Sequence, residues 1–151
     1  MKIRLARDDD YSAMARLRKQ TIRHVNSQDY SENVIFNWSA KGNTHSFRIA
    51  AMDCKRWVAV DNNKIVGFSE HNFKGELSRI YVHKDYLRQG VGSRLLKIAE
   101  DSLAQQGWKE INIESTITAK YFYEKNGYKV IMKTRSEGDN APVYKMLKQL
   151  N

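Results

Sequence analysis

The chain has 151 residues, 41% of them hydrophobic, and a formal net charge of +9. This length suits one globular domain, residues 1–151, that can bury a substantial core. No apolar run approaches the roughly 20 residues of a membrane-spanning helix, and the N-terminus lacks the apolar segment of a signal peptide. We therefore expect a cytoplasmic protein with no membrane partner.

The cysteine, histidine and charge patterns exclude several classes of site. Cys54 is the single cysteine, so an internal disulfide is excluded, and the four histidines lack metal-ligand spacing, so we expect no metal. Residues 1–75 carry 13 basic and 8 acidic side chains, and residues 76–151 carry 13 and 9. Because nucleic-acid binders usually concentrate their charge, this even spread predicts no nucleic-acid partner. Binding through the basic surface is kept as an alternative, which a steep salt dependence would reveal.

The first part of the chain predicts a strand followed by helices. Residues 2–7 alternate polar and apolar types and predict a strand. Asp8, Asp9 or Asp10 can cap a following helix, and Ser31 can cap another. The apolar positions of these two helices are Ala13, Met14, Leu17 and Ile22, and then Val34, Ile35 and Trp38. A further short helix is predicted over residues 47–52, after a polar break.

A hairpin leads into the central strand. Residues 57–60 and 64–68 read as two strands joined by a turn at residues 61–63, and the chain then passes Gly75 into a strand at residues 76–82. In this last strand Leu77 and Ile80 have opposite parity. A β-bulge would explain the break in alternation, and so would burial of both faces.

A Gly-x-Gly turn after this strand indicates a phosphate site. Residues 88–93 open a helix whose apolar residues recur at helical spacing, namely Leu95, Leu96, Ala99 and Leu103. Backbone N–H groups at such a helix start can bind phosphate oxygens, although a simple tight turn is the alternative. Leu95 occupies the third glycine position of the dinucleotide-binding fingerprint, and the Gly-Lys-Ser/Thr of a P-loop is missing, so both of those readings fail.

The last third predicts alternating strands and helices. Gly107 ends the helix, residues 110–115 form a strand, and residues 118–125 form a short helix ended by Gly127. Strands at residues 128–132 and 143–147 follow, paired antiparallel with each other. This mixture of elements indicates an α/β layered structure.

Two blocks resemble a known family. Residues 81–92, YVHKDYLRQGVG, resemble the acetyl-CoA signature Q/R-x-x-G-x-G/A of the GNAT superfamily of N-acetyltransferases, with Leu87 in the Q/R position. Residues 119–128, AKYFYEKNGY, resemble its closing motif. The second predicted helix starts with Tyr-Ser and has a Trp near its end, and this combination resembles a bacterial, YafP-like branch of the family. The resemblance implies a GNAT fold, with a mixed, mostly antiparallel sheet of six to seven strands flanked by helices and a V-shaped splay between strands 4 and 5.

The resemblance also implies an activity. It is acetyl-CoA-dependent transfer of an acetyl group to a primary amine by direct attack in a ternary complex. The acceptor, a small molecule or a peptide amine, is not readable from the sequence, and the protein is expected to be a monomer or homodimer. A non-catalytic CoA-binding sensor or interaction module is the alternative.

The resemblance assigns roles to particular residues. The pantetheine arm is expected along the backbone of Ile80, Tyr81 and Val82, and the pyrophosphate at Arg88, Gln89, Gly90, Val91, Gly92 and Ser93, with Thr116 as a further CoA contact. Tyr123 is the expected acid, with a packing role as its alternative. Glu76 is the candidate base or else a solvated carboxylate, and Glu114 and Glu70 are the fallback bases. Tyr30 and Trp38 are expected to touch the acceptor or, alternatively, to pack their helix onto the sheet.

Overall fold

The structure is a computed structural model that describes residues 1–151. Seven strands form one sheet in the order β1-β2-β3-β4-β5-β7-β6, and every neighbouring pair is antiparallel except β4 and β5. The predicted α/β fold with a mostly antiparallel sheet is confirmed. The elements are β1 (Lys2–Leu5), α1 (Tyr11–His24), α2 (Glu32–Ser39), α3 (Thr44–Ile49), β2 (Cys54–Asp61), β3 (Lys64–Asn72), β4 (Glu76–Val82), α4 (Val91–Gln105), β5 (Glu110–Thr116), α5 (Lys120–Lys125), β6 (Lys129–Arg135) and β7 (Pro142–Gln149).

Helices cover both faces of the sheet. On the α4 face, the predicted stripe of α4 is completely buried against β2, β3 and β4. On the α1 face, Met14 and Leu17 of α1 pack with Phe47 of α3 against Val58 and Phe68 of the sheet. Each helical layer thus buries its apolar stripe against one side of the sheet, which stabilises the domain by removing that surface from water. No helix is both long enough and apolar enough to cross a lipid bilayer.

The central strand contains the bulge that its sequence suggested. Arg79 pairs with Glu70 of β3 and Leu77 pairs with His71, so Ser78 is the extra residue in β4. The bulge shifts the alternation by one position. Leu77 and Ile80 therefore both face α4 despite their opposite parity, whereas Arg79 and Tyr81 face α1.

The parallel pair β4–β5 separates soon after it begins. Only Glu76 with Asn112 and Leu77 with Ile113 are in register, although both strands continue. On its other edge β5 remains paired with β7 from Glu110 to Thr116. The space between residues 78–82 of β4 and residues 114–116 of β5 is the predicted V-shaped splay, and we call it the β4–β5 cleft.

Local predictions near the N-terminus need correction. Asp10 does not cap α1 through its side chain, because its carboxylate accepts hydrogen bonds from the Arg7 N–H at 2.7 Å and from the Arg4 guanidinium at 2.7 and 2.9 Å. These bonds lower the pKa of Asp10 and close a 3-10 turn before the helix. The short helix expected at residues 47–52 begins earlier, at Thr44, because the Asn43 side chain caps it by accepting from the Ser46 N–H.

Candidate active site

The turn before α4 presents a run of backbone donors. From residue 87 onward, Arg94 is the first residue whose N–H donates a hydrogen bond within the chain, to the Gly90 carbonyl at 3.1 Å. The N–H groups of residues 87–93 have no partner in the chain. They lie at the N-terminus of a 15-residue helix, where the helix dipole is positive. An anion with several oxygens, such as a diphosphate, fits this arrangement.

The two glycines of this turn have different roles. Gly90 has a φ of +83°, and a Cβ placed on it would meet nothing within 4 Å, so it leaves the space before the helix open. A Cβ on Gly92 would instead lie 3.2 Å from the Phe122 ring. Gly90 therefore leaves the backbone of the turn open to a ligand, whereas Gly92 allows α5 to approach α4. Arg88 is exposed in the same turn and has a φ of +59°.

The β4–β5 cleft supplies a second set of unpaired backbone groups. Residues 78–82 have no strand partner on the side that faces β5, and of their backbone groups the Val82 carbonyl accepts from the Thr21 hydroxyl at 3.2 Å. The side chains of Ile80, Tyr81 and Val82 are half-buried there. An extended amide-containing chain such as pantetheine can hydrogen-bond to a free strand edge of this kind.

Tyr123 projects from α5 into the core of the α4 face. Its side chain is 7% exposed, and its ring packs edge-on against the rings of Phe122 and Tyr128 at centroid distances of 5.2 and 5.5 Å. The hydroxyl makes no hydrogen bond within the chain. Burial raises the pKa of Tyr123, and the nearby Tyr81 phenol raises it further. Tyr123 therefore keeps its proton at neutral pH and is a potential donor at the cleft.

The three candidate carboxylates lie in different environments. Glu70 is buried and accepts from Arg56 Nε at 2.7 Å, with Arg79 Nε 3.6 Å away. Glu70 is therefore buried in an ion pair with Arg56 and is not open to an acceptor amine. Glu76 and Glu114 are exposed and form no ion pair, so both are available to do so.

Glu76 and Glu114 share one face of the sheet. Their neighbours Leu77 and Ile113 are buried on the α4 face, so alternation directs both carboxylates to the opposite side. Glu76 pairs with Asn112, two residues before Glu114. The two carboxylates thus lie on the strands that border the closed end of the cleft.

The side chains of Tyr30 and Trp38 are engaged in contacts within the chain. The Tyr30 hydroxyl donates to the Pro142 carbonyl at 2.7 Å and accepts from the Ile117 N–H at 2.8 Å. Trp38 Nε1 donates to Asp139 at 3.1 Å, and the two rings lie 4.6 Å apart. These contacts fasten α2 to the end of β5 and to the β6–β7 loop. They favour the packing alternative, and an acceptor contact for these rings stays a prediction.

The Thr116 side chain also has a partner within the chain. Two further residues near the site, Thr118 and Arg18, were not identified from the sequence. The Thr116 hydroxyl accepts from the Ala119 N–H at 3.1 Å, and the Thr118 hydroxyl is buried with no partner. Arg18 of α1 is buried as well. Nothing in the sequence marks Thr118, but Arg18 follows Met14 and precedes Ile22 by four residues. That spacing puts a charged residue on the apolar stripe of α1, and it could have revealed Arg18.

Comparisons with known proteins agree with this geometry. The acetyltransferase (GNAT) domain family profile matches residues 16–150. The chain is 27% identical to the uncharacterised N-acetyltransferase YafP of Escherichia coli K12 over 91% of its own length and 87% of the relative's.

Two solved structures share the fold. A GCN5-related N-acetyltransferase from Rhodopseudomonas palustris superposes with a TM-score of 0.90 at 21% identity, covering 99% of this chain and 95% of the other. The PaiA N-acetyltransferase from Thermoplasma acidophilum, in complex with coenzyme A, gives 0.77 at 22% identity and 99% coverage of both chains. The resemblance found in the two sequence blocks is therefore confirmed, and this chain belongs to the GNAT family of acetyltransferases.

Proposed function

We propose that this protein transfers an acetyl group from acetyl-CoA to a primary amine in a ternary complex. The observation that carries the proposal is the continuity of two unpaired backbone surfaces. The free strand edge of residues 78–82 leads into the free N–H groups of residues 87–93. One surface matches an amide-containing arm and the other a diphosphate, which are successive parts of one CoA molecule.

The cofactor contacts follow from these surfaces. Residues 87–93 would hold the pyrophosphate through their amides, with Arg88 adding a full positive charge beside them. Leu87 cannot supply the side-chain contact of the usual Gln or Arg, so the backbone carries more of the binding here. The edge of Ile80, Tyr81 and Val82 would pair with the pantetheine arm. The Thr116 hydroxyl accepts a hydrogen bond from the Ala119 N–H, so its own proton remains free to be donated to CoA.

The chemistry requires little of the protein beyond position and two proton transfers. Acetyl-CoA supplies an electrophilic thioester carbonyl and a thiolate leaving group. As the amine nitrogen bonds to the acetyl carbon, the C–S bond breaks, the amine loses a proton and the sulfur gains one. Binding both reactants together supplies much of the rate enhancement through proximity.

Tyr123 is the proposed acid for the sulfur. Its burial keeps the phenol protonated, and its hydroxyl has no partner within the chain that would compete for the proton. Its ring position is fixed by Phe122 and Tyr128. A fixed, neutral donor beside the cleft is what protonation of a departing thiolate needs.

Glu76 is the proposed base, acting on the amine directly or through a water molecule, and Glu114 is the fallback. Both carboxylates are exposed, free of ion pairs and on the face opposite α4, from which an acceptor can approach the cleft. The engagement of Glu70 with Arg56 supports its removal from the set of candidate bases.

The test combines binding with turnover. Calorimetry with CoA and acetyl-CoA should show binding of both, and a free-thiol assay over a panel of amines should show acetyl-CoA consumption with at least one of them. Mass spectrometry should find the acetylated product. Binding without turnover on any amine would instead favour a non-catalytic CoA-binding module, and no binding of either form would refute the proposal.

A further inference from the structure

Arg18 differs from every other buried charged side chain in this protein. It is 8% exposed and has no carboxylate partner. Burying an unpaired charge costs free energy, so an ion of opposite sign is expected from outside the chain. The other buried charges all form ion pairs within the chain: Asp10 with Arg4, Arg56 with Glu70, and Glu100 with Lys148.

The local contacts of Arg18 leave part of its guanidinium free. Nη1 donates to the carbonyls of Trp38 and Lys41, each at 2.8 Å, near the C-terminal end of α2. The negative end of that helix dipole offsets part of the charge. The backbone of Gly42 packs against Arg18 Nε, since a Cβ built on Gly42 would lie 3.0 Å from that nitrogen. Nη2 makes no hydrogen bond in the chain and is not sealed from solvent.

The guanidinium lies beside the cleft, on the acceptor side. Its carbon is 5.8 Å from the centre of the Tyr81 ring. Tyr81 belongs to the part of β4 that has no partner in β5, and its phenol contributes to the raised pKa of Tyr123. Arg18 therefore lies next to the Tyr81 ring of the strand that borders the cleft.

A second guanidinium reinforces the positive charge of this surface. Arg79 lies two residues before Tyr81 on the same face of β4, roughly 7 Å away along the strand. It must share Glu70 with Arg56, which holds that carboxylate more closely, at 2.7 Å against 3.6 Å. Arg56 and Arg79 thus share the single carboxylate of Glu70, whereas Arg18 has none, so these three guanidinium groups are not balanced by ion pairs among themselves.

We propose that Arg18, assisted by Arg79, binds a carboxylate of the acceptor, so that the acceptor class is small amines that also carry a carboxylate, such as free amino acids. This inference rests on the proposed acetyl transfer. The carboxylate would complete the pairing that Arg18 lacks, while the amine points toward the cleft and the free carboxylates of Glu76 and Glu114. An acceptor with positive charges alone would instead place a second cation beside Arg18.

Matched acceptors test the inference. The twenty standard L-amino acids and their carboxamides are compared by free-thiol release with saturating acetyl-CoA. The carboxamide has the less basic amine and is more readily deprotonated, so a preference for the carboxylate cannot come from amine basicity. We expect kcat/KM to favour the carboxylate of at least one pair by about tenfold or more, the size expected for one charge-assisted hydrogen bond.

Variants separate recognition from folding. Arg18→Gln should raise KM for the carboxylate acceptor and change the kinetics of the carboxamide little. The ratio of kcat/KM for the carboxylate to kcat/KM for the carboxamide should therefore fall toward one. Arg79→Gln should do so to a smaller extent, and it leaves the helix contacts of Arg18 intact. Arg16→Gln removes an exposed charge from the same helix and should leave the ratio unchanged. Equal loss on both members of a pair in both site variants would show a purely structural role and overturn the inference.

A binding measurement distinguishes failure of the inference from failure of the proposed function. N-acetylated amino acids should raise the Tm of the wild-type CoA complex more than the matching N-acetyl carboxamides do, and Arg18→Gln should remove the difference. If amines are acetylated but carboxylates are never preferred, the inference fails and the proposed function stands. If CoA itself does not bind, the proposed function fails, and the inference fails with it.

Discussion

The two sides of the β4–β5 cleft are built on different principles. The proposed cofactor side consists mainly of backbone groups without partners, at residues 78–82 and 87–93. The proposed acceptor side is held together by side chains that are already engaged, such as Tyr30 with Pro142 and Trp38 with Asp139. One side therefore presents free donors on regular elements, and the other presents a side-chain network that includes Arg18, a buried charge without a carboxylate partner.

The two sides therefore depend on the amino-acid sequence in different ways. A backbone surface depends on glycine positions and strand separation, which a short motif can encode. A side-chain network depends on residues far apart in sequence, such as Trp38 and Asp139, and can change its specificity through single substitutions. The following predictions test whether chemistry, stability and cofactor affinity divide between the two sides in this way.

The largest effect is expected at the proposed acid. Tyr123→Phe keeps the ring packing but removes the proton donor, so kcat should fall by about 10³-fold while acetyl-CoA affinity is almost unchanged. Because burial raises the pKa of Tyr123, the wild-type phenol stays protonated and the wild-type rate should not decline as pH rises from 7 to about 9. Steady-state kinetics and calorimetry measure both quantities. Tyr121→Phe, on the exposed side of the same helix, is the control, and unchanged turnover in Tyr123→Phe would contradict the assignment.

The second-largest effect, on kcat/KM, should distinguish Glu76 from Glu114 as the proposed base. Glu76→Gln is expected to lower kcat/KM by about 10²-fold at pH 7 and to recover at alkaline pH, where more acceptor amine is already deprotonated. Glu114→Gln should have a much smaller effect. A pH–rate profile of both variants checks this. The reverse pattern would assign the base to Glu114, and a loss independent of pH would indicate that Glu76 only positions the acceptor.

A stability effect should mark the side-chain network. Tyr30→Phe leaves the Ile117 N–H and the Pro142 carbonyl without their partner, so the free energy of unfolding should fall by about 2 kcal/mol. Urea denaturation measures it. Acetyl-CoA affinity should stay constant, since the cofactor side is untouched. Comparable loss of cofactor affinity would show that the two sides are not separable.

The smallest effect compares the glycines at the two ends of α4. Gly90 and Gly107 both have positive φ, at +83° and +95°, and a Cβ on either meets nothing within 4 Å. Each change to Ala should therefore destabilise the fold by about 1 kcal/mol through backbone strain. Only Gly90→Ala should also weaken CoA binding, by about tenfold, because it alters the N–H groups of the turn. Equal CoA affinity of the two variants would place the diphosphate elsewhere.

Most of the fold could be predicted because its signals are local. The strand at residues 76–82 and the α4 stripe are encoded by neighbouring residues, and the structure has them at those positions. The turn predicted at residues 61–63 is shorter and consists of Asn62 and Asn63, since Asp61 still belongs to β2. The break in alternation at Leu77 and Ile80 was even sufficient to suggest the bulge. Asp10 is the N-cap residue of α1, as one of the predicted candidates, but its side chain does not cap the helix because Arg4, six residues away on β1, binds it.

The amino-acid sequence by itself determined the α/β class, the glycine turn before α4 and the family, because each of these depends on spacing within a short segment. Only the tertiary structure decided that Glu70 is bound by Arg56, that the hydroxyl of Tyr30 joins β5 to β7, and that Arg18 lacks a counter-ion. These facts depend on which distant side chains meet when the layers pack. A charge is paired or unpaired only relative to neighbours that the chain brings together by folding.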